Sequence, residues 1–309
     1  MDFSEETIRN IFENYVLVYG LNLVFAIAIF VIGKWIANMI TRLVEKLLTK
    51  GDVDHLATDD IEKYKPSYLA KRVSGKLPFE TDYMVVSNAC ISGVLAANVA
   101  HDYIISEKYD HAIVLGVDVV SKFTASGFES FFALSDEPSA PFDKDRKGLS
   151  LGEAAATLIL SSKKEVYTNA AMQFAGGASA NDANHISGPS RTGEGLKRAI
   201  KGALKQAQVE SSSIQHISSH GTGTRYNDDM ESIAFANCGF KNVPTNSLKG
   251  FFGHTLGAAG VVELGMSIQS MRNGLMLKTL GCTNKGTTEE VNILTENKSA
   301  ELNVVLKTA

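Results

Sequence analysis

Cys90 stands in VSNACISG, where a short apolar run gives way to a small-residue helical pattern. At such a junction free N–H groups and the helix dipole favour an anion, which stabilises a thiolate. The thiolate is the form that attacks a thioester, and Ala89 and Gly93 leave room for a substrate to approach. The plainer reading is a buried structural cysteine, the commoner fate of a lone Cys. His220 ends an apolar run in SSHGTGTRYND. The glycines after it let backbone and substrate come close, and the hydroxyls of Thr222 and Thr224 can hydrogen-bond a polar ligand. Lys249 and His254 share SLKGFFGHTLGAAG. Two neutral imidazoles aimed at one carbonyl oxygen stabilise an enolate by donating hydrogen bonds. A lysine nearby biases their protonation, or pairs with a carboxylate such as Glu263. Each residue also has a bland reading: a satisfied histidine, a solvated lysine, and simple close helix packing for GAAG. His55, His101, His111 and His185 form no constellation, and no pair of histidines shows a spacing such as HExxH, so neither metal nor cofactor is expected.

The elements that must position these groups alternate between strand and helix. YMVVSNAC reads as a short strand, and ISGVLAANVAHDYIISE as a helix with Ile91, Val94, Leu95, Val99 and Ile104 near one face. HAIVLGVDVV and GEAAATLILSS read as strands, the second entered through Gly152. GEGLKRAIKGALKQAQV is an amphipathic helix with its basic residues outward, and IQHISSH, VPTNS and LNVVLKT are strands. TLGAAGVVELGMSIQSMRNG is a helix closed by Gly274. The alternation predicts a layered α/β domain. YMVVSNACISGVLAANVA and VPTNSLKGFFGHTLGAAGVVE share a plan: strand, polar turn, reactive side chain, small-residue helix. Two such units aiming Cys90 and His254 at one point suit an internally duplicated fold.

The 309 residues are enough for one large domain or two modest ones. A net charge of −4 gives no reason to expect nucleic acid. Cys90, Cys238 and Cys282 are too few and too scattered for a disulfide framework or a zinc site, which fits a reducing compartment. Residues 16–33 differ in character: they carry no charged residue and one amide, Asn22. Their length sits at the lower edge of a membrane span. Acidic residues lead in and Lys34, Arg42, Lys46 and Lys50 follow, so residues 1–50 read as a transmembrane and amphipathic segment with one long helix over 16–48, a buried core helix being the plainer alternative. The charge bias puts the N-terminus outside and the rest in the cytoplasm. The acidic leading side and the lack of a small-residue cleavage site argue against a signal peptide. Residues 51–80 read as a polar junction with a short helix near 61–73, and 81–309 as the α/β domain.

The order Cys, His, Lys, His, each in its own glycine-rich string, resembles the elongating β-ketoacyl-acyl-carrier-protein synthases over residues 81–308. GVDVVSKFTASGFESFFALS, PFDKDRKGLSLGEAA and RYNDDME agree with it. The resemblance implies a thiolase-type α/β/α/β/α fold of two duplicated halves, working as a homodimer, with acyl carrier protein as partner. It implies that Cys90 takes the acyl chain, and that His220 and His254 promote decarboxylation of malonyl-carrier and hold the enolate, with Lys249 and Glu263 supporting His254. Thr222, Thr224 and Gly93 then line the substrate. Residues 10–56 resemble the first transmembrane helix of the small-conductance mechanosensitive channel family, which implies a membrane anchor through 16–33. The synthase pattern has further strands before its nucleophile and a Gly-Phe-Gly-Gly-x-Asn turn after the position of Ala309. On that ground the fold is expected to be incomplete, and decarboxylation to outlast condensation. The alternative expectation is a non-catalytic, fused or truncated fragment carrying a channel-derived helix.

Overall fold

The structure is a computed structural model that describes Met39, Lys63 and residues 65–167, 171–182 and 189–309. It divides into two units, residues 1–84 and 85–309. The long helix expected over 16–48, Met39 apart, and the channel-like segment lie outside the described residues. Among the described residues no helix is long and apolar enough to cross a membrane. In the first unit, helix α1 (Pro66–Ser74) falls where a short helix was expected. Pro66 starts it without loss of a bond, because a first-turn N–H has no intrahelical partner.

The second unit runs α2 (Ser92–Ile105), β1 (His111–Asp118), α3 (Lys122–Ser130), β2 (Ala154–Ser161), α4 (Glu194–Ala207), β3 (His216–Ser218), α5 (Arg225–Asn237), β4 (Thr245–Asn246), α6 (Lys249–Phe252), α7 (Ala259–Asn273), β5 (Leu275–Met276), β6 (Lys298–Ser299) and β7 (Val305–Lys307). Strands β1 and β2 pair antiparallel, from His111 against Ser161 to Asp118 against Ala154. Strand β3 lies between β4 and β7, parallel to both. All three residues of β3 are buried, as a central parallel strand requires.

Helices α2 and α7 pack against each other and against the β1–β2 pair, and α7 also touches β7. They form a middle layer between two sheets. On the far side of the parallel sheet, Ile200 of α4 and Phe235 of α5 close a core around Ile217, Phe142, Phe240 and Ile293. The described residues therefore supply sheet, helix, sheet and helix: four layers of the five expected. The outer face of the β1–β2 pair is open among the described residues, with Ile113 43% and Ile159 74% exposed.

Two expectations about the middle layer need correction. YMVVSNAC is not a strand; it makes one isolated bridge, Asn88 to Cys90, and Tyr83 and Met84 are exposed. A strand needs a neighbour, and none is present for it among the described residues. The buried stripe of α2 is Gly93, Ala97 and Ala100 rather than the large aliphatics. Small residues face inward because α7 comes so close: a Cβ on Gly93 would stand 2.8 Å from both Gly257 O and Val261 N. At its far end α7 stops at Gly274, φ 58°, as expected for a left-handed glycine cap.

Candidate active site

The nucleophile turn is held locally. Ser92 Oγ donates to Ala89 O at 2.6 Å and accepts from Asn88 N–H at 2.7 Å. Ala89 sits at φ 45°, a region that a residue with a side chain rarely adopts. This turn presents Cys90 just ahead of α2. His254 is presented just ahead of the turn leading into α7, and its backbone is pinned from both sides. Its N–H donates to Ser150 O at 2.7 Å, and Gly152 N–H donates to its carbonyl at 3.0 Å. Gly152 must be glycine here, because a Cβ would meet Phe252 O at 1.9 Å.

These turns bring Cys90 Sγ to 2.9 Å from His254 Nε2. The rings of His220 and His254 lie 5.1 Å apart at 84°. One ligating atom from each of Cys90, His220 and His254 falls within 4.8 Å of the others. Phe128 of α3 stands edge-on to His254, ring centres 6.5 Å apart.

The hydrogen bonds assign the imidazole protons. Leu256 N–H donates to His254 Nδ1 at 3.2 Å, so the ring proton is on Nε2, which donates to the Cys90 sulfur. Lys249 Nζ has three donors. They go to Glu263 Oε1 at 2.7 Å, His220 O at 2.6 Å and His220 Nδ1 at 3.3 Å. His220 therefore also carries its proton on Nε2. Burial, with the Lys249 and Lys307 charges, holds both imidazoles well below the usual histidine range. Two neutral N–H donors thus flank one thiol. The same tautomers make the trio a poor metal site: a metal at either Nε2 would have to displace the proton that the Nδ1 contact places there.

Burial pushes the Cys90 thiol up, against the lowering effect of Lys249 and of a backbone hydrogen bond. Gly93 does not open space for a substrate; backbone of Gly257 and Val261 fills it. Thr222 and Thr224 bond each other through their hydroxyls at 2.9 Å. Lys249 and Glu263 meet as expected, both with fully buried side chains, but the other hydrogen bonds of Lys249 go to His220 rather than to His254, the histidine the pair was expected to support.

Four further residues build the site and carry no signal of their own in the sequence. Glu231 accepts from the N–H groups of His220 at 2.9 Å and Gly221 at 2.6 Å. Asp228 accepts from Thr222 N–H at 3.0 Å and Phe142 N–H at 2.8 Å. Arg146 ties the same loop down through Thr224 O at 3.3 Å and Arg225 O at 3.0 Å. Lys307 Nζ lies 2.8 Å from Glu263 Oε2. The strings PFDKDRKG and RYNDDME were visible, but which of their charges turn inward depends on packing.

Comparison with known proteins points to one family. Residues 31–166 match the beta-ketoacyl synthase N-terminal domain and residues 172–283 the C-terminal domain. The tetracenomycin polyketide synthase ketoacyl synthase alpha subunit of Streptomyces glaucescens is 32% identical over 74% of this chain and 57% of its own length. A putative mitochondrial 3-oxoacyl-[acyl-carrier-protein] synthase of Schizosaccharomyces pombe is 30% identical over 80% of this chain and 62% of its own. The chain thus spans less than two thirds of these relatives' length. The crystal structure of a beta-ketoacyl synthase from Burkholderia phymatum superposes with a TM-score of 0.75 at 27% identity, covering 87% of this chain and 68% of that one. A type II polyketide acyl-carrier protein in complex with its ketosynthase gives 0.74 at 26%, over 82% and 66%. Nothing in these matches supports the channel resemblance, and the N-terminal-domain match begins at residue 31, inside the segment assigned to it. The thiolase-like fold and the two matched domains, covering most of the chain between them, place it in the beta-ketoacyl synthase family.

Proposed function

We propose that this chain carries the decarboxylative condensing site of a β-ketoacyl synthase, with Cys90 as the acyl-bearing nucleophile. The observation that carries the reading is the contact of His254 Nε2–H with Cys90 Sγ at 2.9 Å, with a second neutral imidazole beside it. In the first step the Cys90 sulfur attacks the carbonyl of an acyl thioester, and the carrier thiol leaves with the proton. In the second, a malonyl thioester loses carbon dioxide. The electron pair of the broken bond becomes an enolate whose oxygen accepts from Nε2–H of His220 and His254. Such donors act where charge develops. The enolate carbon then attacks the Cys90 thioester carbon and expels the thiolate, leaving a β-ketoacyl carrier. Lys249, held by Glu263, keeps His220 in the donating tautomer.

The partner in this reading is an acyl carrier protein, the partner of the ketosynthase in one of the similar structures. A second ketosynthase-type subunit, identical or of the chain-length-factor kind seen in other similar structures, completes the assembly. The test is mass spectrometry of the chain after incubation with acyl carrier protein, together with carbon dioxide release from malonyl carrier. Cys90→Ser should abolish loading, and His254→Ala should lower decarboxylation by about a hundred- to a thousand-fold. Undiminished carbon dioxide release from His254→Ala would refute the assignment.

A further inference from the structure

Glu263 is fully buried, and its one carboxylate carries two ammonium groups. Oε1 accepts from Lys249 Nζ at 2.7 Å, and Oε2 lies 2.8 Å from Lys307 Nζ. The Lys307 side chain is 4% exposed. It also donates to Ser219 O at 3.4 Å and to Thr308 O. Ser219 directly precedes His220, so the lysine grips the end of the strand that presents that histidine. Among the described residues, the other acids near this cluster are Asp118 at the end of β1, which accepts from Ala258 N–H at 3.0 Å, and Glu231 and Asp228 of α5, both of which are occupied. Glu231 accepts from His220, Gly221, Asn227 and the Thr308 hydroxyl. Asp228 accepts from the loop backbone and lies 3.7 Å from Arg146. Within the contact trio, two positive charges therefore meet one negative.

We propose that Lys307 is a positioning residue of the site: with Lys249 it clamps Glu263 between two buried ammonium groups, and the surplus positive charge keeps His220 and His254 as neutral Nε2–H donors. A buried lone charge is expensive unless paired; burial pulls the Lys307 ammonium down, and the Glu263 carboxylate at 2.8 Å acts against that pull and favours the charged form. A positive charge behind the imidazoles disfavours imidazolium and favours a negative oxygen in front of them. Burial and both lysines act in that direction on each ring. The inference rests on the decarboxylating role proposed above.

The test compares the full chain with Lys307→Met and Lys307→Arg. Side-chain nitrogen NMR follows the two imidazoles as pH falls, and carbon dioxide release from malonyl carrier gives the acid limb of the rate profile. Lys307→Met should raise the imidazole midpoints and move the acid limb up by about half to one pH unit, while Lys307→Arg keeps the original profile. Where the Met variant does not fold, Lys307→Gln retains a hydrogen-bond donor without the charge and serves the same comparison. Imidazoles that titrate identically in the charged and uncharged variants overturn the proposal, whatever the loss of rate. A chain that releases no carbon dioxide but shows the NMR shift overturns the proposed function and leaves the lysine clamp standing.

Discussion

Gly93 and Gly260 meet where α2 crosses α7. A Cβ on Gly93 would stand 3.1 Å from Gly260 Cα, and one on Gly260 would stand 2.4 Å from Val94 N. Cys90 lies just before the first helix and His254 just before the turn into the second, so this crossing sets the distance between thiol and imidazole. The repeated strand-turn-helix plan in the sequence thus has a physical counterpart: two small-residue helices back to back.

Gly93→Ala should therefore disturb both stability and chemistry. The methyl would press on backbone atoms, which cannot rotate away, and overpacking of this kind costs about 1–3 kcal/mol. Gly265 lies on the same α7 with nothing within 4 Å of an added Cβ. Gly265→Ala should gain roughly 0.5–1 kcal/mol from helix propensity. Urea unfolding of the two variants, with acyl loading at Cys90, separates them. Equal effects would mean the crossing is looser than the distances state.

Glu263→Gln should be among the most damaging single changes in the chain. Both lysines on Glu263 are buried, and removing one partner of a buried ion pair costs about 3–5 kcal/mol. The exposed pair Lys147–Glu137 is just as short, at 2.7 Å, with both side chains more than half exposed. Glu137→Gln should leave the unfolding midpoint unchanged, because solvent screens such pairs. Similar midpoints for the two variants would argue against a buried Glu263.

What was legible in the sequence, and what was not, follows the range of the interaction. Cys90, His220 and His254 each end a short apolar run and precede glycines, a local signal. The strands of HAIVLGVDVV and LNVVLKT carry their own β-branched pattern. Lys307 sits inside that last run, where a lone lysine reads as an outward-facing charge; its partner Glu263 is on another element, and only the fold joins them. YMVVSNAC looked like a strand because composition says nothing about whether a neighbour is present. For the Cys90 thiol the nearby helix terminus is visible in the sequence, and the burial that pushes it up is not.

Stability should rise with pH through the acidic range. His220 and His254 are held well below the usual histidine range in the fold, while the unfolded chain takes up protons near about pH 6.5. Below that point the unfolded state binds more protons than the native one, which favours unfolding. Each neutral histidine contributes a slope of about 1.4 kcal/mol per pH unit there, and none above it. Asp228 opposes this: burial raises it to about 6, so the stability it adds at low pH is lost as pH rises through that value. Asp118, also raised by burial, acts with Asp228, and His216, lowered by burial, acts with His220 and His254, so three imidazoles outweigh two carboxyls. Urea midpoints measured from about pH 5 to about pH 7 check the slope, and a flat or falling profile would show that the imidazoles are protonated in the fold.

Asp228→Asn tests how the loop after His220 is held. Asp228 Oδ1 accepts from Thr222 N–H at 3.0 Å, Gly223 N–H at 3.3 Å and Asn227 Nδ2 at 3.2 Å, and Oδ2 accepts from Phe142 N–H at 2.8 Å. Every partner is a donor, so a carboxylate suits the position and an amide does not. Whichever way the amide is turned, its NH2 faces an N–H and leaves that donor unpaired, at about 1–3 kcal/mol for each such buried group. Arg146 loses the carboxylate 3.7 Å from its Nε, but keeps its bonds to Thr224 O, Arg225 O and Asp229. The loop should stay attached on the arginine side and loosen on the aspartate side. The expected result is a lower unfolding midpoint and slower carbon dioxide release, with acyl loading at Cys90 reduced less, because the thiol does not depend on this loop. Loading and decarboxylation falling by the same factor would show that Asp228 supports the whole fold rather than the His220 loop.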